Sequence, residues 1–161
     1  MSSDSNVSPD VPPATDASAP PLGCTNFKLR QLTRRVTQHY DQHLAQVGLR
    51  ITQYSLLSHV DLLGPLSPGE LARRMDMDAS TLSRNLRPLQ LAGWVSTKEG
   101  LDGRSRVVAI TESGQALRRQ AQRHWKAAQV ALNAKLGVAT VAALHGLLDQ
   151  GLAAFHATDT A

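Results

Sequence analysis

The 161-residue sequence has little cysteine and few aromatic residues. Its single cysteine, Cys24, excludes a disulfide framework and a four-cysteine zinc site, and is typical of a reducing compartment. No apolar run approaches the roughly 18 residues that a membrane helix needs, so we expect no membrane span. The N-terminus has no basic region, which argues against a signal or transit peptide. These absences predict a soluble cytoplasmic protein.

Basic residues are missing from one part of the chain and concentrated in the rest. Residues 1–23 contain three aspartates and no Lys or Arg, whereas the remainder holds all 17 basic residues against ten acids, a net charge of +7. A body this basic favours polyanionic partners. The first 23 residues are almost entirely Ser, Pro, Ala, Asp and Thr, which cannot bury enough apolar surface to offset their ordering entropy. We therefore predict a disordered tail at 1–23 and one domain at 24–161.

Apolar residues three or four positions apart predict helices after the tail. The first helix covers about 25–47 and ends at Gly48, where a C-cap glycine is preferred. Thr52 is the predicted cap of the second helix, which ends at the Gly64-Pro65 pair. These two helices lead directly into a third segment with a stronger start signal.

The segment SPGE has the pattern of a capping box. Ser67 is the predicted N-cap, Pro68 occupies the first helical position, and Glu70 follows three residues after the cap. The short helix that starts here reaches about residue 75. Asp78 then caps a fourth helix that runs to about residue 92. Two helices joined by a tight turn are typical of a helix-turn-helix.

The apolar period falls to two residues after the fourth helix. WVSTK and RVVAI predict two short strands, and EGLDGRS between them suits a hairpin tip. Thr111 caps a long fifth helix to about residue 135, and Gly137 separates it from a last helix with a heptad-like apolar stripe. The predicted fold class is mostly α (α+β), with a winged helix-turn-helix over about 52–110 and long helices on both sides of it.

The fourth helix, DASTLSRNLRPLQLAG, has an apolar and a polar face. Leu82, Leu86 and Leu89 share one face and are predicted to pack inward. The polar residues of the other faces suit contact with phosphates and bases in a major groove, and basic residues on the hairpin suit a neighbouring minor groove. A solvated helix face is the alternative interpretation. The candidate DNA-binding residues are Ser80, Thr81, Ser83, Arg84 and Arg87 on the helix, and Arg104 and Arg106 on the hairpin.

The segment LSPGELARRMDMDASTLSRNLRPLQLAGWVSTKEGLDGRSRVVAITESGQAL resembles the MarR family of winged-helix transcriptional regulators. Its marks are Asp102-x-Arg104 in the hairpin, TESG after the hairpin and LAGWV after the fourth helix, and the resemblance extends upstream through LRQLTRRVTQHYDQHLAQVGLRITQYSLL. It implies a homodimer formed by helices at about 25–47 and 112–157. It also implies binding to pseudo-palindromic operator DNA, release by a small-molecule effector, and a wing in which Asp102 orients Arg104. The function it predicts is that of a transcriptional regulator that acts as a repressor.

Three residues are candidates for an effector pocket. Tyr40, His43 and Tyr54 lie where the resemblance places a cleft between the dimerisation helices and the winged part. The edge of an ordinary core would use the same residue types. His39 and His43 also have a spacing that can bind zinc, but no cysteine or nearby Glu completes a site, so we expect no metal.

Cys24 is the candidate for redox regulation. It starts the first helix, where the macrodipole lowers the pKa of a thiol. Organic-peroxide sensors of the MarR family hold a cysteine in this region with tyrosines. Relative to Tyr40, the cysteine here comes two residues earlier, with Asn26 at the matching position, while Arg30 and Ile51 replace the other two tyrosines. An inert thiol is therefore the preferred interpretation, and a redox-sensing regulator is the alternative.

Two further functions differ in class from a specific regulator. A non-specific architectural DNA-binding protein would also be basic. An enzyme has no support, because the sequence lacks a Gly-rich phosphate loop, a recognisable nucleophile-base constellation and a carboxylate pair on one face. We expect no enzymatic activity and no cofactor.

Overall fold

The computed structural model describes residues 22–100 and 106–158, and these residues form six α-helices and one β-hairpin. A short 3-10 helix, Ala45–Val47, follows the first α-helix. The hairpin strands are β1 (Val95–Glu99) and β2 (Arg106–Ile110), paired antiparallel. The order of elements confirms the predicted mostly α class. The helices are α1 (Thr25–Leu44), α2 (Ile51–Leu63), α3 (Pro68–Arg74), α4 (Ala79–Leu91), α5 (Glu112–Leu136) and α6 (Val138–Thr158).

Most helix ends follow from local side-chain chemistry. Ser67 Oγ accepts the backbone N–H of Glu70 at 3.2 Å, and Asp78 Oδ1 accepts that of Thr81 at 2.8 Å. Thr111 Oγ1 accepts the N–H of Gly114 at 3.1 Å. The predicted N-caps of α3, α4 and α5 are therefore confirmed, because each acceptor lies within three residues of the N–H that it satisfies.

The start of α2 differs from the prediction. Thr52 is the second residue of the helix and does not cap it. Asp41 of α1 caps it instead, since Asp41 Oδ1 accepts the N–H of Ile51 at 2.7 Å. Gln53 Oε1 accepts the N–H of Arg50 at 2.9 Å. The prediction failed because the carboxylate comes from another helix, ten positions away, and a local pattern cannot contain it.

Only half of the predicted capping box forms on α3. The Glu70 carboxylate accepts hydrogen bonds from Arg73 Nε and Nη2 at 2.9 and 2.6 Å and from Arg74 Nε at 2.7 Å. Bonds from guanidinium groups are stronger than a bond from a neutral backbone N–H, so Glu70 turns forward to the arginines and away from Ser67. These bonds lower the pKa of Glu70 to about 2.

The hydrophobic core joins the hairpin to α2, α3, α4 and α5. Leu66, between α2 and α3, exchanges two backbone hydrogen bonds with Val108 of β2 and so adds a one-residue bridge that the sequence did not predict. Tyr54 stacks on Trp125 of α5 with a ring-centroid distance of 6.1 Å. The side chains with almost no exposure are Leu44, Leu49, Leu56, Leu57, Val60, Leu71, Leu82, Leu89 and Val108.

Helix α5 is held closely against the end of α4 and the hairpin. The N–H of Thr111 donates to the carbonyl of Trp94 at 3.0 Å, and a Cβ on Gly114 would lie 2.1 Å from the same oxygen. Arg118 Nε lies 2.8 Å from Asp61 Oδ2 of α2, both side chains being partly buried. That contact is ionic, because Arg118 Nε has no aligned hydrogen-bond acceptor. These contacts fix the winged part on α5.

Helix α6 leaves most of its apolar stripe exposed. Val141 is buried and Leu144 is half-buried, whereas Leu152 is 53% exposed. By length and composition alone, Val138–Ala157 could cross a membrane, with a mean hydropathy of 1.3, contrary to the expectation of no such segment. An uninterrupted apolar run did not indicate this segment, because polar residues such as Asp149 interrupt it. Its many Ala and Leu residues nevertheless keep its mean hydropathy high.

Candidate nucleic-acid interface

Helix α4 presents a polar and basic face to solvent. Its apolar residues Leu82, Leu86 and Leu89 are at most 4% exposed, which confirms the predicted inward face. At about 100° per residue, the opposite side of the helix carries exposed polar residues. These are Ser80, Ser83, Arg84 and Arg87, while Thr81 beside them is partly buried.

The start of α4 is organised by one carboxylate. Asp78 accepts hydrogen bonds from the hydroxyls of Ser80 and Thr81, both at 2.6 Å, in addition to the N–H of Thr81. These bonds hold the pKa of Asp78 well below its ordinary value. Because both hydroxyl protons point at Asp78, the two oxygens offer lone pairs outward. In this arrangement Ser80 and Thr81 can accept from base amino groups but cannot donate to phosphates.

Arg84 lies back along α4 toward its N-terminus. Its Nε donates to the carbonyl of Ser80 and its Nη2 to Thr81 Oγ1, both at 3.3 Å. Bonds of this length are weak, so they orient the guanidinium without binding it firmly. Within the described part of the chain, Arg87 has no hydrogen bond or ion pair. The two arginines therefore keep most of their donors for an external acceptor.

A groove lies on each side of α4. The wing-side groove, of about 360 Å³, is bounded by α3, α4 and the hairpin and includes Ser83, Thr97 and Arg106. Gln90 Nε2 donates to Thr97 Oγ1 at 2.8 Å across its end and links α4 to β1. The α2-side groove, of about 280 Å³, is lined by Arg50, Thr52, Gln53, Arg84, Asn85 and Pro88.

Sequence reasoning missed Arg50, Gln53 and Asn85 as candidates for this surface. Asn85 is partly buried on the flank of α4 beside α2, where its amide donates to Met77 Sδ, and the helical period alone could have placed it there. Arg50 and Gln53 gave no such signal, because only the packing of α2 beside α4 brings them to the groove.

The hairpin is described only in part. Asp102 and Arg104 lie outside the described residues, so their predicted roles stay predictions. Arg106 begins β2, opposite Glu99 in the pairing, and is exposed at the wing-side groove. It is therefore the hairpin arginine whose place beside α4 is established.

The three predicted effector-pocket residues have different surroundings. Tyr40 lines an apolar cleft of about 260 Å³ between α1, α5 and α6, and its hydroxyl donates to Gln129 Oε1 at 2.5 Å. Burial raises the pKa of Tyr40. Tyr54 lies in the core against Trp125, and His43 is half-buried. The effector assignment of the three residues stays a prediction.

His39 and Cys24 were considered for metal and redox chemistry. His39 Nε2 donates to the carbonyl of Ala128 at 2.8 Å, so that ring nitrogen is occupied by α5. In residues 22–100 and 106–158, no group of three or more His, Cys, Asp or Glu side chains could hold a metal ion. Cys24 is exposed and free at the N-cap of α1, where its carbonyl accepts the N–H of Lys28 at 3.1 Å.

The winged part of the chain matches a known family. Residues 47–105 match the model of the MarR family, and these residues include α2, α3, α4 and β1. Over this segment the chain is similar to the MarR family. This confirms the resemblance found in the sequence, and the matched segment contains the face of α4 described above.

Curated relatives of the chain are named as regulators. It is 26% identical over 88 residues to the HTH-type transcriptional regulator YwoH of Bacillus subtilis, which covers 55% of the chain and 64% of that protein. It is 31% identical over 94 residues to YdgG of the same organism, a match that covers 56% of the chain and 56% of that protein. The chain thus spans under two thirds of the length of these relatives. Their names describe regulators.

Solved MarR-type structures share the fold. The Mycobacterium tuberculosis transcriptional regulator MosR, solved in complex with DNA, is 29% identical, with a TM-score of 0.66 over 81% of this chain and 98% of that one. A cysteine-to-serine mutant of Escherichia coli MarR, complexed with operator DNA, has a TM-score of 0.73 at 22% identity, over 79% and 92% of the two chains. The likeness to MarR supports the winged-helix fold.

Proposed function

We propose that this protein is a transcriptional regulator that binds operator DNA through α4. The observation that carries the proposal is the exposed basic face of α4, with Arg84 and Arg87 opposite the buried Leu82, Leu86 and Leu89. A helix of this kind fits the major groove, where arginines bind guanine edges or phosphates. The relatives named as HTH-type regulators, and the MosR structure with DNA, support the same function.

The proposed active form is a homodimer. Helices α1 and α6 leave Leu29, Leu147 and Leu152 between 44% and 67% exposed, beside an apolar cleft lined by both helices. Apolar patches of this extent on a soluble protein mark a protein interface. A second copy that covers them would set two α4 helices side by side, as a pseudo-palindromic operator requires.

Repression and effector release complete the proposal. A repressor of this kind occupies DNA that polymerase needs, and an effector that binds better to a dimer with mismatched spacing releases it. Tyr40 and the cleft that it lines offer an apolar site with a few polar groups, the usual character of a small-molecule pocket. Such a regulator acts in the cytoplasm.

Footprinting on the DNA upstream of the gene tests the proposed function. The proposal predicts protection centred on two half-sites about one DNA turn apart, roughly 10 base pairs. It also predicts that random DNA of equal length binds at least 1,000-fold more weakly at physiological salt. Uniform protection with equal affinity for both DNAs would support the architectural alternative and contradict the proposal.

A further inference from the structure

The α2-side groove and the wing-side groove lie along opposite flanks of α4. At about 100° per residue, Asn85 and Pro88 of the α2-side groove fall on one flank and Ser83 and Gln90 of the wing-side groove on the other. Arg84 is on the outward side of the helix, between these two flanks, and its side chain also lines the α2-side groove. A helix in a major groove has a phosphate backbone along each flank. The two grooves are therefore where the two backbones would run.

The α2-side groove is positively charged. Arg50 and Arg84 line it, and none of the described residues that line it is acidic. The Arg50 side chain is exposed and has no hydrogen bond or ion pair with any residue that the structure describes. A guanidinium offers five N–H donors in a planar fork that matches the oxygens of a phosphate. Arg50 is thus a free anion ligand at the edge of the α4 face.

Polar side chains at the start of α2 complete the groove. Gln53 Oε1 accepts the N–H of Arg50, so its amide NH₂ is the end left to donate outward. Thr52 adds a hydroxyl on the exposed side of the helix. The N–H groups of Arg50 and Ile51 already have acceptors, Gln53 and Asp41. Side chains, and not the free end of the helix, therefore make this groove an anion site.

We propose that the α2-side groove binds a phosphate of the DNA backbone, held by Arg50 together with Thr52 and Gln53. This inference rests on the proposed function, because it assigns a second contact to the surface that includes α4. It makes α2, a helix outside the helix-turn-helix pair, part of the interface. Arg50 then adds affinity for DNA of any sequence, whereas Arg84 faces the bases.

The salt dependence of DNA binding gives the first test, on the full-length protein and the footprinted operator. Each lost phosphate contact lowers the slope of log affinity against log salt by about 0.9, so Arg50→Ala should lower it by roughly 1.8 for two subunits. The loss should be equal on operator and random DNA. Arg50→Lys, which keeps the charge, should keep the slope. Arg34→Ala is the matched control, because Arg34 is exposed on α1 and lines neither groove.

Neutral methylphosphonates, placed singly along the operator backbone, give the second test. A methylphosphonate at one position in each half-site should weaken DNA binding by the wild type. The same substitution should not weaken DNA binding by Arg50→Ala any further. A melting curve checks that this variant is folded. Equal further loss at every position, or an unchanged salt slope, overturns the inference. The inference is also overturned if Arg50→Ala loses binding of inorganic phosphate but keeps DNA binding, because the groove would then be a site for a free anion. A wild type that does not distinguish operator from random DNA contradicts the proposed function itself.

Discussion

Asp78 binds two hydroxyls and a backbone N–H at the first turn of α4, and it thereby fixes both the start of the helix and the direction of Ser80 and Thr81. The same bonds lower the pKa of Asp78 from its ordinary value of 3.8. A carboxyl whose pKa is lowered by folding stabilises the fold above its unfolded pKa, and this stabilisation is lost as pH falls through the folded value.

Substitution of Asp78 tests this role. Asp78→Ala should lower the melting temperature at pH 7, and Asp78→Asn should recover most of the loss, because Asn also caps helices well. The difference in free energy of unfolding between the wild type and Asp78→Asn should shrink as pH falls below 3.8. Only the wild type has a carboxylate at position 78 that takes up a proton there. Urea unfolding at pH 7 and pH 3 measures the difference. An advantage that grows in acid would contradict the account.

Capping residues show where residue-scale prediction succeeds. Ser67, Asp78 and Thr111 were predicted correctly because donor and acceptor lie within three positions. Thr52 was predicted incorrectly because Asp41 reaches the start of α2 from α1. A sequence pattern records neighbours along the chain, so a contact that tertiary packing creates has no local signal.

At the scale of elements, the junction of the hairpin with α5 depends on close approach. Gly114 lies where α5 meets the carbonyl of Trp94, and an added Cβ would be 2.1 Å from that oxygen. Backbone cannot move aside as the end of a side chain can, so the helix would have to shift. The hairpin, α4 and α5 are all joined at this point.

Gly114→Ala should therefore destabilise the protein by about 1 to 3 kcal/mol, the usual cost of overpacking. Gly69→Ala is the matched control, because the same change on α3 meets no atom within 4 Å. The control should be neutral or slightly stabilising, since Ala favours helix over Gly. Denaturant unfolding compares the two variants with the wild type. Equal stability of both variants would show that the approach at Trp94 is looser than described.

The helices and strands themselves were largely predictable from the spacing of apolar residues and from the capping, Gly and Pro residues at their ends. The inward leucines of α4 and the two strands followed from apolar spacing, and the structure agrees. The bridge between Leu66 and Val108 was not predictable, because a single paired residue has no period. The apolar character of α6 was underestimated because residues such as Asp149 break its run.

At the scale of the whole molecule, the exposed stripe on α6 requires a partner surface under the proposed function. Leu152→Glu should shift the protein from dimer toward monomer, because it places a charge in the proposed interface. Gln150→Glu adds the same charge to an exposed position of the same helix and should leave the dimer intact. Sedimentation at micromolar concentration measures both. A dimer unaffected by Leu152→Glu would exclude this part of α6 from the interface.

The grooves beside α4 belong to this scale too. Sequence reasoning found the arginines of α4 because they share a helix, but it missed Arg50 because α2 reaches α4 only in the folded chain. The functional surface was therefore predictable along its central helix and not along its α2 flank.

The measurement closest to the central claim compares Arg84→Ala with the wild type on operator and random DNA at one fixed salt concentration. If Arg84 reads a base, its loss should weaken operator binding by about 1 to 3 kcal/mol, roughly 5- to 150-fold, and random-DNA binding far less. The account therefore predicts a ratio of specific to non-specific affinity that falls by nearly that factor. Equal losses on the two DNAs, which leave the ratio unchanged, would contradict the claim that α4 reads sequence through Arg84.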